Sequence, residues 1–333
     1  MRIDSLVSML PAELVHPASV ESLSGLEHYI PMGIHSMGVE CRLASVESKV
    51  DLGISLTPAR GARESLATLR SPRRLREASA QDSRWLGIKR LGACWRSPTF
   101  AVHRWASFLF LEYDAESAGK ALPVPSVFVA LDSPLGDAAT RGFPELGAAL
   151  EVVTALLGEA ADSVGDQIVR CFRALRGQAR VLHIAVMLGR PEKSVRLSVL
   201  IPRDMVDSYF GQVGTPEAAE AVRMLTTVSA SGSFHQVDFD IGRPVDSRVG
   251  VNVRPQTSRE WPRLLDALVG LGLSDPVKAA AVLSWPETAS NSHLRNHISH
   301  IKLAGGLKQR IEAKVYLGTT GEAITRLNSI SGK

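Results

Sequence analysis

Five times along this chain, two segments with alternating apolar and polar residues follow one another, and each pair is separated from the next by a helical stretch. A period of two marks a strand with one buried face, and two such runs joined by a short polar connection read as an antiparallel hairpin. The pairs are residues 39–44 with 49–56, 101–114 with 124–132, 179–188 with 194–201, 233–241 with 247–253, and 297–304 with 310–317. Their connections are SVES at 45–48, a loop carrying Gly119 and Pro123, GRPEK at 189–193, GRPVD at 242–246 and GGLKQ at 305–309. These are rich in turn-forming residues. Helical character fills 61–92, 143–157, 164–175, 203–228 and 258–283, with breaks expected at Ser71-Pro72, Gly214-Thr215-Pro216 and between Gly272 and Pro276.

Ten antiparallel strands leave two unpaired edges unless the sheet closes on itself. The expected fold is therefore α+β: a ten-stranded antiparallel β-barrel surrounded by helices and built from five helix–hairpin units. Two α+β halves, each with an open sheet backed by helices, form the alternative. The expected division is an N-terminal helical segment over 1–35 that packs on the barrel, one barrel domain over 36–318 and a tail over 319–333.

The alternation also assigns faces. Val249, Val251 and Val253 share one side of their strand, with Arg248, Gly250 and Asn252 on the other and Arg254 continuing that phase. Val195, Leu197 and Val199 oppose Arg196 and Ser198. Ile311, Ala313, Val315 and Leu317 oppose Glu312, Lys314 and Tyr316, while Ile301 and Leu303 oppose His300 and Lys302. Val39, Cys41 and Leu43 oppose Glu40 and Arg42. Val50, Leu52, Ile54 and Leu56 oppose Asp51, Gly53 and Ser55, and Val237, Phe239 and Ile241 oppose Gln236, Asp238 and Asp240. The apolar face needs cover, which the helices supply. In a helix-jacketed barrel the polar face then lines the lumen, and ten strands are enough to keep that lumen open.

Composition narrows the function. A formal net charge of +4 is too weak to point to nucleic acid, and the basic stretch from Arg70 to Arg76 carries no interleaved aromatics. The three cysteines, Cys41, Cys94 and Cys171, form no CxxC pair, which argues against a structural zinc site or a disulfide scaffold and for a reduced, cytoplasmic setting. No run reaches membrane-spanning length and the first residues do not read as a signal peptide. Glycine-rich nucleotide loops, HExxH and GxSxG are absent. In HLRNHISH, His297 and His300 are three apart and fall on opposite strand faces, so that cluster with His293 is a poor metal site.

Five helix–hairpin units closing into a ten-stranded antiparallel barrel with a polar channel resemble the ABBA-type aromatic prenyltransferases, the PT-barrel superfamily. The Lys-x-Tyr of the last strand, Lys314 and Tyr316, looks like the element with which that superfamily holds a substrate diphosphate. The resemblance implies transfer of a prenyl group from an allylic diphosphate to an aromatic or peptide-like acceptor. Arg196, Arg254, Lys302, Lys314 and Tyr316 are the implied diphosphate ligands, and Glu40, Asp51 and His300 the candidates for proton transfer or acceptor orientation. Asp238 and Asp240, two apart on one face, suit either a Mg²⁺ bound to the diphosphate or, as the favoured reading, ion pairs with lumen cations. An allylic cation calls for aromatic faces, and the chain has only four tyrosines. Tyr316 belongs to the lumen phase, with Tyr113 and Trp105 as further candidates. That scarcity keeps a second function in view: a noncatalytic or accessory protein that binds a peptide natural product in the same kind of barrel.

Overall fold

The computed structural model describes residues 2–321, apart from 45–48, 70–74, 78, 79, 81, 115–122, 135, 136, 138–141, 191–193, 228–232, 242–247 and 286–293. The SVES and GRPVD turns, the last three residues of GRPEK, Gly119, the Ser71-Pro72 break, most of the basic stretch, His293 and the tail beyond 321 therefore lie outside the described residues.

The ten strands close into one barrel in the order β1-β10-β9-β8-β7-β6-β5-β4-β3-β2, every pairing antiparallel. They are β1 (Ile34–Arg42), β2 (Val50–Leu56), β3 (Ala106–Tyr113), β4 (Ser126–Leu131), β5 (Arg180–Val186), β6 (Val195–Pro202), β7 (Phe234–Ile241), β8 (Val249–Val253), β9 (Leu294–Gly306) and β10 (Gln309–Gly321). Closure removes both edges, so the open two-half arrangement is not the one adopted. Because consecutive strands are neighbours, all five hairpin tips point to one end of the barrel and all helical connections return at the other.

The helices are α1 (Ile3–Val7), α2 (Pro17–Ser24), α3 (Ala62–Thr68), α4 (Ser83–Arg96), α5 (Ala101–Trp105), α6 (Leu146–Leu157), α7 (Asp162–Arg173), α8 (Val206–Val213), α9 (Pro216–Thr226), α10 (Trp261–Gly270) and α11 (Pro276–Ser284). Both expected breaks within the described residues occur. Gly214, at φ +87°, separates α8 from α9, and Gly272, at φ +68°, lies between α10 and α11. Asp82 caps α4 by accepting from the Arg84 backbone N–H at 2.9 Å, and Asp275 caps α11 by accepting from Val277 at 2.8 Å.

The main core lies between the outer barrel face and this jacket. The apolar phases expected from alternation, among them Val39, Ile54, Leu197, Val237, Val251, Ile301 and Val315, are buried there, with Ile311 only partly covered. Trp85, Trp95 and Trp285 anchor the jacket, their indole N–H groups donating to the carbonyls of Pro123 (3.2 Å), Ala106 (3.0 Å) and Gly318 (3.4 Å). An indole buried with its N–H satisfied contributes area without a polar penalty.

Strand bounds differ from expectation in three informative places. β1 begins at Ile34, five positions before the expected start at 39, because His35, Ser36 and Gly38 hide the alternation. Residues 101–105 form helix α5 rather than the start of β3. β10 continues to Gly321, past the strand end expected at 317, and Thr319 there is buried and donates to Asn296 at 2.8 Å. No helix among the described residues is long and apolar enough to cross a membrane.

Candidate active site

The polar strand phases face inward and enclose a cavity of about 550 Å³. Its lining includes Glu40, Asp51, Arg196, Arg254, His300, Lys302, Lys314 and Tyr316, so every site residue expected from sequence borders one chamber. Their distribution around the ring is uneven. Register places Asp51, Glu40, Tyr316 and His300 side by side across β2, β1, β10 and β9, with Lys314 and Lys302 one lumen position along on β10 and β9. Arg196 is on β6, five strands from β1 in either direction, and Arg254 lies just past β8 at the helix-connection rim. The structure thus gathers six of the eight residues into one patch, with Arg196 on the opposing wall and Arg254 at one mouth.

Most lumen cations are paired with a carboxylate. Lys314 donates to Glu40, as does the Tyr316 hydroxyl. Lys302 Nζ meets Asp238 Oδ2 at 2.5 Å. Arg196 binds Asp240 through two bonds, Nε to Oδ1 at 2.7 Å and Nη2 to Oδ2 at 3.2 Å, the fork geometry that suits a carboxylate. Arg248 pairs with Glu312. Arg42 lies 3.2 Å from Glu312 and 3.6 Å from Asp51, and Arg190 lies 3.2 Å from Asp114 and 3.4 Å from Glu112. Arg254 instead donates to the Ser299 carbonyl at 2.9 Å. Asp238 and Asp240 therefore occupy the ion-pair role, each with its own cation. Among the described residues no group of three or more His, Cys, Asp and Glu side chains is placed to hold a metal ion.

These pairs set the protonation states. Burial opposes charge on Glu40, but Lys314 and Lys302, with hydrogen bonds from Lys314 and Tyr316, outweigh it and hold the carboxyl well below the usual carboxylate range. Burial likewise opposes charge on Asp238, and Lys302 overrides it. Glu112 goes the other way: burial, with repulsion from Glu40, raises its pKa against the pull of Arg190. Burial, with Arg254 and Lys302 adding to it, pushes His300 down to about 3. His300 is thus neutral at ordinary pH. Its ring stacks on that of Tyr316, with centroids 4.1 Å apart and planes 14° apart, and its Nδ1 lies 3.0 Å from the Ser299 hydroxyl.

One stretch of the wall, on β3 and β4, is aromatic, and alternation does not reveal it. Phe110 and Phe128 face each other in register on β3 and β4 and line the chamber. Phe108 stacks on Phe110 at 6.4 Å, and His183 meets Phe110 edge-on at 5.7 Å. Around the ring β4 lies opposite β9 and β3 opposite β8, so this surface confronts Lys302 and Asn252 across the lumen. The signal for it was present in the alternation of Phe108 and Phe110 with Leu109 and Leu111, but an unbroken apolar run does not reveal which phase faces inward. Tyr113 and Trp105 do not join the wall. Tyr113 is buried in the jacket, where its hydroxyl donates to the Tyr29 carbonyl at 3.1 Å, and Trp105 packs at the end of α5 against the same core. Tyr113 follows Glu112, and Glu112 takes the lumen position, so a one-residue step turns the tyrosine outward.

No protein-family model matches the sequence, and no curated protein matches it either. Solved structures do match in fold. AnaPT from Neosartorya fischeri aligns with a TM-score of 0.57 at 11% identity, over 96% of this chain and 92% of that one. The prenyltransferase PriB in its binary complex with product diphosphate aligns at 0.55 and 14% identity, over 97% and 96%. The 5-dimethylallyltryptophan synthase of Streptomyces coelicolor aligns at 0.56 and 15% identity, over 97% and 99%, and has also been solved in complex with DMASPP and Trp. The chain has the PT-barrel fold of these enzymes.

Proposed function

We propose that this chain transfers a prenyl group from an allylic diphosphate to an aromatic or peptide-like acceptor held inside the barrel. The observation that carries this reading is the polarity of the chamber: Lys302, Lys314 and Tyr316 line it from β9 and β10, and Phe110 and Phe128 line it from β3 and β4. Structures of the same fold support it, since PriB binds diphosphate and the 5-dimethylallyltryptophan synthase binds DMASPP and Trp.

The chemistry follows from the two walls. Lys302 and Lys314, with Arg196 reaching from β6, would hold the diphosphate and stabilise the charge that grows on it as the allylic C–O bond breaks and the electron pair leaves with oxygen. Arg254 would extend the cationic surface toward the open rim. The allylic cation left behind would lie against aromatic faces, Phe110 and Phe128 on one side and the Tyr316–His300 stack on the other, with His300 acting as a neutral ring. The acceptor forms the new bond to the cation and then gives up a proton. Glu40 would orient an N–H or O–H of the acceptor, and Asp51 and Glu112 would provide carboxylates near the departing proton.

The test is incubation with dimethylallyl, geranyl and farnesyl diphosphates and a panel of aromatic and peptide acceptors, read by mass spectrometry. A prenylated product that is lost in Lys314→Ala supports the reading. No product with any pair, together with no diphosphate binding by the wild-type chain, would overturn it.

A further inference from the structure

Lys302 and Lys314 are direct partners in the β9–β10 register, a placement in which like charges repel. Buried carboxylates on either side draw them apart. Lys314 turns to Glu40 on β1, and Lys302 turns the other way, across β8, to reach Asp238 on β7. That second reach passes over Gly250. A Cβ at position 250 would lie 2.3 Å from Lys302 Cε, so any side chain there would make the flexible end of Lys302 take another path. Glu40 and Asp238 are both almost fully buried, and Oδ1 of Asp238 has no hydrogen-bond donor among the described residues. Of the other cations lining the chamber, Arg190, Arg196 and Arg248 also hold carboxylates. An anion entering this chamber therefore meets lysines that are already occupied.

Resting on the prenyl-transfer reading above, we propose that Glu40 and Asp238 are exchangeable keepers of Lys314 and Lys302. An entering diphosphate takes both lysines, which come together over the β9–β10 pair. The two carboxylates, buried and deprived of their strongest partners, then accept the N–H or O–H of the second substrate. The exchange makes the two binding events cooperative, because an unpaired buried carboxylate is costly and the acceptor's donor group relieves that cost. By linkage the effect is mutual, each ligand tightening the other by the same factor. It also orders the reaction: the aromatic acceptor is gripped firmly only once the diphosphate is in place.

The experiment is calorimetric titration of the full chain with inorganic diphosphate, for the wild type, Glu40→Gln and Asp238→Asn. If the carboxylates hold the lysines back, each variant binds diphosphate about tenfold more tightly than the wild type, a gain that misfolding cannot produce. Unchanged or weaker diphosphate binding in both variants overturns the exchange. A second titration uses indole, with 1-methylindole as the matched probe lacking the N–H. Saturating diphosphate is expected to tighten indole about tenfold in the wild type and to leave 1-methylindole unchanged. Indole binding that is indifferent to diphosphate overturns the coupling. A wild-type chain that binds no inorganic diphosphate removes the prenyl-transfer reading itself, and the exchange with it. Diphosphate binding without tightening in the variants removes the exchange alone.

Discussion

Replacing Lys314 with Ala is expected to destabilise the fold in a pH-dependent way. Glu40 is only 6% exposed, and the substitution leaves its carboxylate with the Tyr316 hydroxyl and the more distant charge of Lys302. Breaking a buried pair by removing one partner costs about 3–5 kcal/mol. Here the lumen is open enough to hydrate part of the carboxylate, so a loss of about 3 kcal/mol at pH 7 is the expected size. The sign with pH follows from the direction of the Glu40 shift. Because the wild-type carboxyl is held below its unfolded value, its contribution is present above the ordinary Glu range, near pH 4.3–4.5, and fades as pH falls below that toward the folded value. Without Lys314, burial dominates and raises the carboxyl, so protonation at pH 4.5 relieves the variant but not the wild type. Urea denaturation at pH 7 and pH 4.5 should therefore show a variant penalty that shrinks at the lower pH. A penalty under about 0.5 kcal/mol, within the scatter of ordinary surface changes, or one equal at both pH values, would refute the reasoning.

Gly250→Ala should displace Lys302 from its present path to Asp238 at a cost of no more than about 1 kcal/mol, since only the flexible end of the lysine has to move. Chemical denaturation, together with a crystal structure showing where Lys302 points, checks it. Gly53→Trp should narrow the chamber, because Gly53 lines it and a Cβ there meets nothing closer than 3.8 Å. Competition between dimethylallyl and farnesyl diphosphates should then shift toward the shorter donor, and an unaltered ratio would exclude Gly53 from the substrate path. Tyr113→Phe should cost about 1 kcal/mol through loss of its bond to Tyr29 and leave diphosphate affinity untouched, because its hydroxyl points into the jacket.

Alternation made the architecture legible because each strand has one apolar phase, and a barrel jacketed by helices is one way to bury ten such phases at once. The lumen faces of β6 to β10 could be read for the same reason: Arg196, Asp238, Asn252, Lys302 and Lys314 each interrupt an apolar series. The aromatic wall could not, since Phe108 to Leu111 is apolar on both phases and only closure of the barrel decides which phase turns inward. Pairing was also hidden. That Arg196 meets Asp240, and that Lys302 crosses a strand to reach Asp238, depends on register between strands, which alternation leaves open. Glu112 and Arg190 went unnoticed because one ends an apolar run and the other sits in a turn, yet both line the chamber.

The central claim is that the chamber holds a diphosphate on its lysine wall. A crystal of the wild-type chain grown with inorganic diphosphate tests this most directly. A diphosphate is expected inside the barrel between Lys302 and Lys314, with both lysines turned from Asp238 and Glu40 toward its oxygens. A chamber without diphosphate, its lysines still on their carboxylates at a concentration that saturates binding in solution, would contradict it.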